Sequence, residues 1–337
     1  LWKEVLNIDL PDKFPHLTYA ESMENYGSDK PDIRFDMKLI EFANYVELSD
    51  FETFKNIINS GGRVKALKCK NASSYSRKVI DELTEWIKKY YGAKGLAWMK
   101  CNNTKLEGGI SKFFGDDLNT RIIDELKVED DDILFIIGDT QNITLNALGA
   151  LRLKIAKNKN MIDPNKWAPL WVVDFPLVEW NEDHSRWEAL HHPFTSPNFE
   201  DISLLEKSPE DVRSLGYDIV MNGYELGGGS IRIHNSLLQS KIFKLLGIED
   251  NEAQEKFGFL MNAFKYGAPP HGGMAFGFDR IIMLLAGSQQ IRDVIAFPKT
   301  TSAVSLMDNS PSNVSLEQLK ELGISLNNKK DLKKLLK

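Results

Sequence analysis

This sequence has few cysteines, no long apolar run and no excess of positive charge. Its 337 residues include only two cysteines, Cys69 and Cys101, and both lie inside apolar stretches. We therefore expect two small buried thiols rather than a disulfide or a metal site. No apolar run approaches the roughly 20 residues that a membrane helix needs. The start of the chain also lacks the regions of a signal peptide, so we expect a cytoplasmic protein without a membrane partner.

The charge balance and the ends of the chain are uninformative about nucleic acid. The formal net charge of −6 supplies no global attraction to a polyanion, so any RNA would be held by local patches. We predict that the lysine-rich end, residues 326–337, is a basic tail and a solvated terminal helix.

Leu1 falls inside a helical pattern that continues through Trp2 and Leu6, so we also expect residues that precede Leu1.

Residues 33–161 carry a mixed α/β pattern of their own. Strands are predicted at Val64–Lys70, Gly95–Cys101 and Ile133–Ile137, and helices at Ser76–Tyr91, Asp117–Leu126 and Asn142–Ile155. Gly92 would end the helix Ser76–Tyr91. No acids, histidines or phosphate loop gather here into a catalytic set, so a structural or recognition role is indicated.

The chain changes character from Trp167 onward. The run Leu170–Leu177 is almost wholly apolar, and Tyr217–His234 alternates around glycines. Helices are predicted at Leu237–Leu246 and Glu252–Tyr266, each ended by a glycine. Apolar strands followed by late helices favour an α+β fold, in which helices back a largely antiparallel sheet, over a βαβ repeat.

The segment Gly273–Arg280 alternates small and apolar residues before an acid, an arginine and a fully apolar run. This pattern predicts a strand that leads into a helix start. One strand face could lie flat beneath a planar ligand while Met274, Phe276 and Phe278 anchor the other face in the core. A glycine-rich core strand, with Arg280 capping a helix or pairing with Asp279, is an equal alternative.

A second segment, Asn222–His234, places three glycines between Glu225 and Arg232. Alternation would put Ser230, Arg232 and His234 on one face and Ile231 and Ile233 on an apolar face against helices. The glycines permit close backbone approach. A surface salt bridge between Glu225 and Arg232 is the alternative, and it leaves the glycines unexplained.

These segments resemble known signatures. Gly273–Arg280 resembles motif 3 of the class II aminoacyl-tRNA synthetases, with Ala275 at one glycine position. Further matches identify the chain as similar to the bacterial-type aspartyl-tRNA synthetases over nearly its whole length. They are Tyr26–Asp32, Trp167–Trp171, His191–Pro197, Gly223–His234, Gly267–His271 and Asp293–Lys299.

The resemblance implies a domain organisation. Residues 1–32 and 162–325 would be two segments of the catalytic domain, with the motif 3 side of its sheet in the second. Residues 33–161 would be an inserted domain like the GAD domain of these enzymes. The family's anticodon-reading domain, motif 1 and motif 2 would precede Leu1, so the chain would be a C-terminal fragment, inactive alone.

The resemblance also implies site residues and partners. Arg232, His191, His192 and Asp218 would bind L-aspartate. Glu225 and Arg280 would be catalytic, Glu225 and Ser230 would hold Mg²⁺, and ATP would contact Glu225, Gly277, Phe278, Asp279 and Arg280. The reaction would charge tRNA(Asp), and the intact enzyme would be a homodimer.

One further structural expectation comes from these assignments. Asp218 and Glu225 are an odd number of residues apart, so they can share one face only if Gly223 breaks the strand alternation. The competing interpretations are an asparaginyl-type or other amide-forming ligase and a catalytically silent binding module.

Overall fold

The computed structural model describes residues 1–72 and 74–325, so the predicted basic tail at 326–337 lies outside the described residues. The chain divides into two compact units. One joins Leu1–Leu6 to the chain from Phe278 onward, and the other is Asn7–Gly277. Within the described residues, no helix combines the length and apolar character needed to cross a membrane.

The first unit contains α1 at Trp2–Leu6, which confirms the helical start. The second unit opens with strand β1 at His16–Thr18 and helix α2 at Tyr19–Tyr26. Thr18 and Glu21 form a capping box at the start of α2, and Gly27 ends the helix with a φ of 62°.

Residues 33–161 build a complete five-stranded antiparallel sheet, in the order β2-β3-β6-β4-β5. The elements in chain order are β2 Leu39–Glu41, α3 Ala43–Glu47, α4 Glu52–Asn59, β3 Arg63–Cys69, α5 Arg77–Tyr91, β4 Ala97–Asn102, β5 Lys105–Glu107, α6 Gly115–Leu126, β6 Ile133–Asp139 and α7 Gln141–Asn158. All three strands and all three helices predicted here are confirmed within a few residues.

Helices cover both faces of this sheet, which explains why β6 is buried along its whole length. One core contains α5 and α7 packed on Leu67, Phe135 and Ile137. The other contains α3, α4 and α6 packed on the alternate residues of the same strands. Cys69 and Cys101 are free and buried, and burial raises the pKa of each thiol to about 11. The expectation of buried thiols is confirmed.

Five other strands of the second unit form a second sheet, in the order β1-β7-β10-β11-β12. The elements of this unit that follow α7 are β7 Pro169–Val173, β8 Val178–Asn181, β9 Arg186–Ala189, β10 Gly216–Met221, β11 Tyr224–Ile231, α8 Ser236–Leu245, α9 Asp250–Phe264 and β12 Gly272–Phe276. Strands β8 and β9 form a separate hairpin. Only β1 and β7 pair in parallel among the five strands, so the predicted, largely antiparallel α+β architecture is confirmed.

The first unit resumes with α10 at Phe278–Leu285 and, after a stretch with little regular structure, α11 at Leu316–Glu321. In α10 the residues Ile281, Met283 and Leu284 are buried. A strand followed by a helix is therefore confirmed for the segment Gly273–Arg280.

The predicted burial around β12 is wrong. Phe276 is 59% exposed and Phe278 is 70% exposed. Strand β12 lies at the edge of its sheet, so neighbouring strand side chains flank it on one side only, that of β11. The prediction that Ile231 and Ile233 share a buried face is also wrong, because β11 ends at Ile231, which is 38% exposed while Ile233 is buried.

Candidate functional site

The hairpin formed by β10 and β11 presents the candidate acids on one face. Asn222 and Gly223 make its two-residue turn with φ values of 55° and 85°. Glu225 lies opposite Val220, whereas Gly227 lies opposite Ile219, so Leu226 is an extra residue in β11. Glu225 shares the face of Asp218 because the two-residue turn pairs it with Val220, two residues from Asp218 on β10. The alternation is therefore broken at the turn that contains Gly223, as expected. The bulge at Leu226 then brings Gly228 and Ser230 to the same face.

The three glycines of β11 allow two different groups, the backbone of β12 and the carboxylate of Asp218, to approach the strand closely. A Cβ atom at Gly229 would lie 1.9 Å from the carbonyl oxygen of Gly273, and one at Gly227 would lie 2.5 Å from that of Ala275. Both positions face the backbone of β12. At Gly228 a Cβ atom would instead lie 2.1 Å from Oδ1 of Asp218. The carboxylate of Asp218 therefore lies across the strand at the point where no side chain projects.

Arg232 follows β11 and is held by main-chain contacts. Its backbone N–H donates to the carbonyl oxygen of His271 at 2.9 Å, and the residue bridges to Thr195. The Nη1 atom of its guanidinium is buried and, among the described residues, has no hydrogen-bond acceptor. Burying a charged donor without an acceptor is costly. A carboxylate from a ligand would supply the missing acceptor.

The two histidines lie at the start of the loop His191–Pro197. The His191 ring packs edge-on against Phe175 with centroids 4.5 Å apart, and its Nε2 is 3.9 Å from Oδ2 of Asp218. The ring sits over Gly216, where a Cβ atom would be 2.9 Å from Nδ1. The structure thus brings His191 and Asp218 together.

His192 lies within the electrostatic influence of Arg232. Its Nδ1 accepts a hydrogen bond from the backbone N–H of Phe194 at 3.2 Å. Partial burial lowers the pKa of His192, and the positive charge of Arg232 lowers it further. A neutral imidazole is therefore favoured beside the guanidinium at neutral pH.

Glu225 and Ser230 share a face of β11 but differ in their surroundings. Glu225 is partly buried, while Ser230 is buried and its Oγ accepts a hydrogen bond from the hydroxyl of Thr195 at 3.2 Å. Among the residues that the structure describes, no group of three or more His, Cys, Asp or Glu is placed to hold a metal ion. A cation here would therefore need oxygen ligands from a bound phosphate as well.

The residues of the predicted ATP site fall in both compact units. Gly277, the last residue of the second unit, donates its N–H to the carbonyl oxygen of Leu226 at 2.7 Å. Phe278 and Asp279 are exposed in the first turn of α10, and Arg280 follows them, partly buried.

Residues without a predicted role also shape this site. Thr195 bonds to Ser230 and bridges to Arg232, and Phe175 supports His191. Thr195 lies inside the motif His191–Pro197, so the sequence did indicate a functional role for its neighbourhood. Phe175 lies in an apolar run that predicts only a core residue.

Comparisons with known proteins agree on a family. Residues 1–301 match the family described as tRNA synthetases class II (D, K and N). The chain is 50% identical over 326 residues to the aspartate–tRNA(Asp/Asn) ligase of Caldanaerobacter subterraneus, covering 97% of this chain and 55% of that protein. It is 52% identical over 327 residues to the aspartate–tRNA ligase of Halalkalibacterium halodurans, again covering 97% and 55%. The chain therefore spans about half the length of the curated relatives it matches.

Two solved structures are also similar. The aspartyl-tRNA synthetase from Entamoeba histolytica matches with 17% identity and a TM-score of 0.32, over 72% of this chain and 44% of that one. The asparaginyl-tRNA synthetase from Pyrococcus horikoshii matches with 20% identity and a TM-score of 0.30, over 40% and 27%. From the match over residues 1–301, the chain belongs to the class II tRNA synthetases of the D, K and N group.

Proposed function

We propose that this chain is part of an aspartate–tRNA ligase and contributes its aspartate site and part of its ATP site. The intact enzyme would activate L-aspartate with ATP and transfer the aspartyl group to tRNA(Asp). The names of relatives that are 50–52% identical support this assignment. The observation that carries it is the buried Nη1 of Arg232, which lacks an acceptor among the described residues.

Arg232 would bind the side-chain carboxylate of aspartate. A guanidinium presents two parallel N–H donors that match the two oxygens of a carboxylate, which a lysine ammonium cannot do. The neutral amide of asparagine offers one oxygen and no charge. Arg232 would therefore favour aspartate over asparagine, which weighs against an asparaginyl-type ligase.

Asp218, His191 and His192 would complete the aspartate site. The carboxylate of Asp218 lies over Gly228 and would accept hydrogen bonds from the substrate ammonium. His191, supported by Phe175 and close to Asp218, would close over the bound amino acid. Neutral His192 would line the pocket beside Arg232 without adding a second buried charge.

The ATP site would use residues of two signature segments, Asn222–His234 and Gly273–Arg280. Glu225, together with Ser230, would hold Mg²⁺ against the phosphates, because hard oxygen ligands suit this cation. When bound, Mg²⁺ neutralises phosphate charge. Gly277, Phe278 and Asp279 would line the nucleotide site, and Arg280 would lie over the adenine and reach toward the γ-phosphate.

The proposed reaction has two steps. In the first, an α-carboxylate oxygen of aspartate forms a bond to the α-phosphorus of ATP, and the bond to pyrophosphate breaks. In the second, a hydroxyl of the terminal tRNA adenosine attacks the activated carbonyl, loses its proton and releases AMP. The nucleophile of the first step is already ionised, so positioning and charge neutralisation suffice without a covalent enzyme intermediate.

The assignment extends to the intact protein. We place the enzyme in the cytoplasm as a homodimer, with the further length of its relatives supplying the rest of the active site. The 337-residue chain alone would then be inactive. Retention of Glu225, Arg232 and Arg280 argues against a decayed, silent paralogue.

Aspartate-dependent pyrophosphate exchange in the intact gene product tests the role of Arg232. We expect Arg232→Lys and Arg232→Ala to reduce exchange by at least about 100-fold, the scale of losing a buried charged pair. Arg186→Lys, in the exposed hairpin of β8 and β9, should leave exchange unchanged. Normal exchange in both Arg232 variants would refute the aspartate assignment.

Charging assays test the remaining parts of the proposal. The intact protein should charge purified tRNA(Asp), and tRNA(Asn) should be included because relatives of both names match. The isolated 337-residue chain should charge neither. Robust charging by the isolated chain would overturn the view that it is an inactive fragment.

A further inference from the structure

A groove of about 860 Å³, lined by none of the residues assigned above, lies between the loop Gly27–Lys30 and the helices α5 and α7. The loop belongs to the signature Tyr26–Asp32, for which the proposed reaction has no role. The two helices belong to the block 33–161, for which it also has none. The groove therefore joins two parts of the chain whose purpose is unexplained.

Three aromatic side chains at the end of α5 line one wall of the groove. The ring centroid of Trp86 is 6.4 Å from that of Tyr90 and 5.1 Å from that of Tyr91. Tyr90 is 62% exposed, while Trp86 and Tyr91 are partly buried against the core. The wall thus offers an accessible aromatic surface whose base is fixed by core packing.

Lysines accompany these rings. Nζ of Lys154 lies 4.4 Å from the ring centroid of Trp86, and Nζ of Lys89 lies 5.1 Å from that of Tyr90. Lys30 and Lys157 also line the groove, together with Asp29, whose Oδ1 lies 3.6 Å from Nζ of Lys30. Positive charge therefore predominates locally in a chain whose formal net charge is −6.

A close backbone contact fixes the position of the loop relative to α7. A Cβ atom at Gly149 would lie 2.2 Å from the carbonyl oxygen of Gly27, and one at Gly27 would lie 2.1 Å from that of Leu145. The loop and the helix meet without intervening side chains. The floor of the groove is therefore a fixed surface rather than a gap between mobile elements.

We propose that this groove binds single-stranded nucleic acid. Exposed aromatic rings stack on unpaired bases, and lysines beside them neutralise the phosphates, which is how sequence-tolerant single-strand sites work. The amides of Asn142 and Asn146, on the α7 wall, can hydrogen-bond to base edges. An acidic peptide would use the lysines but leave the three rings without a partner, so the aromatic wall favours nucleic acid.

Fluorescence anisotropy with the 337-residue chain tests the proposal. The probes are labelled oligouridylate and oligodeoxythymidylate of about eight nucleotides, within the range of known single-strand sites. We expect saturable binding to one or both at low salt, and the comparison distinguishes RNA from DNA as the source. Tyr90→Ala should weaken binding about tenfold, the scale of losing one stacked base. Leu48→Ala, at a residue that is also 62% exposed, should have no effect.

A charge variant supplies an independent readout. Lys157→Gln should reduce the slope of log affinity against log salt by about 0.7, the value for one phosphate contact on a single strand. Lys105→Gln, an exposed lysine on β5, should leave the slope unchanged. Arg232→Ala should not alter binding to these probes, so failure of the aspartate assignment and failure of this proposal are distinguishable.

Several results would overturn the proposal. They are absence of binding at low salt, equal affinity for duplex and single strand, equal losses in Tyr90→Ala and Leu48→Ala, and competition by polyglutamate as strong as competition by unlabelled oligonucleotide. The last result would identify the groove as a site for acidic protein segments.

Discussion

The carboxylate of Asp218 lies over Gly228, so close that a Cβ atom at Gly228 would be 2.1 Å from its Oδ1. The two residues are direct partners across β10 and β11. Any side chain at Gly228 must therefore displace the carboxylate that, in our proposal, binds the ammonium of aspartate.

We predict that Gly228→Ala weakens aspartate binding by the intact enzyme at least tenfold and destabilises the fold by about 1–3 kcal/mol, the usual cost of overpacking. Isothermal titration and urea denaturation measure the two effects. Gly95→Ala is the control, because the space around Gly95 is open. If Gly228→Ala binds aspartate normally, Asp218 has no part in the site.

The pKa of His192 should report on Arg232. Because the lowering has burial as its larger cause and Arg232 as its smaller one, Arg232→Gln should raise this pKa, while leaving it below the ordinary value of 6.5. Bound aspartate should also raise it by adding a negative charge. Titration of the imidazole resonances by NMR measures these shifts, with Arg186→Gln as the control.

The same shift has a consequence for stability. Between the lowered pKa and 6.5, the unfolded chain binds more protons at this position than the folded one. The contribution of His192 to the free energy of unfolding is therefore full above pH 6.5 and is lost as the pH falls through its folded-state pKa.

In the NMR titration, a pKa of His192 that does not change in Arg232→Gln would contradict the proximity of the two side chains.

Gly149→Ala should destabilise the chain although it replaces a glycine inside a helix. Such a change ordinarily stabilises a helix by about 1 kcal/mol. Here the added methyl would lie 2.2 Å from the carbonyl oxygen of Gly27, and we expect a net loss of about 1–3 kcal/mol in urea denaturation. Gly258→Ala in α9 is the matched control, since its methyl meets only the flexible side chain of Gln254. Equal stability of the two variants would show that α7 can move away from Gly27.

Arg152 should be among the most sensitive positions for stability. Its buried guanidinium donates to the carbonyl oxygens of Met37, Asp32 and Phe35 at 2.8, 3.0 and 3.1 Å. Burial lowers its pKa to about 10, so it remains charged at neutral pH. Arg152→Met should cost about 3 kcal/mol or more, because three buried acceptors lose their donor.

Urea denaturation again provides the measurement for Arg152. Arg77→Met, at an exposed arginine of α5, should change the free energy of unfolding by about 0.5 kcal/mol or less. A comparably small effect of Arg152→Met would mean that water replaces the guanidinium at those carbonyl groups.

The long helices and buried strands were predictable because local sequence determines them. The periodicity over Ser76–Tyr91, ended by Gly92 in the left-handed conformation, gives α5 within one residue. The short helices α3 and α4 and the three-residue strands β2 and β5 were missed, since they depend on tertiary contacts more than on periodicity.

The details of the candidate site were less predictable. The odd spacing of Asp218 and Glu225 predicts a break at Gly223, where the hairpin turn does lie. The bulge at Leu226, by contrast, is defined by the pairing with β10, which the alternation does not reveal. Likewise, the alternation of Met274 and Phe276 cannot distinguish an interior strand from the edge strand that β12 is. The buried, unpaired Nη1 of Arg232 is a three-dimensional property with no counterpart in local sequence.

The extra residue at Leu226 makes the register of this signature a geometric requirement. If β11 paired regularly from the turn onward, Leu226 would lie opposite Ile219 and each later residue of β11 would change face. Ser230 would then point to the opposite face, the one that carries Trp171 and Tyr217, while Glu225 kept its own. A protein with every signature residue present but without the bulge would thus hold its two oxygen donors on opposite sides of the sheet.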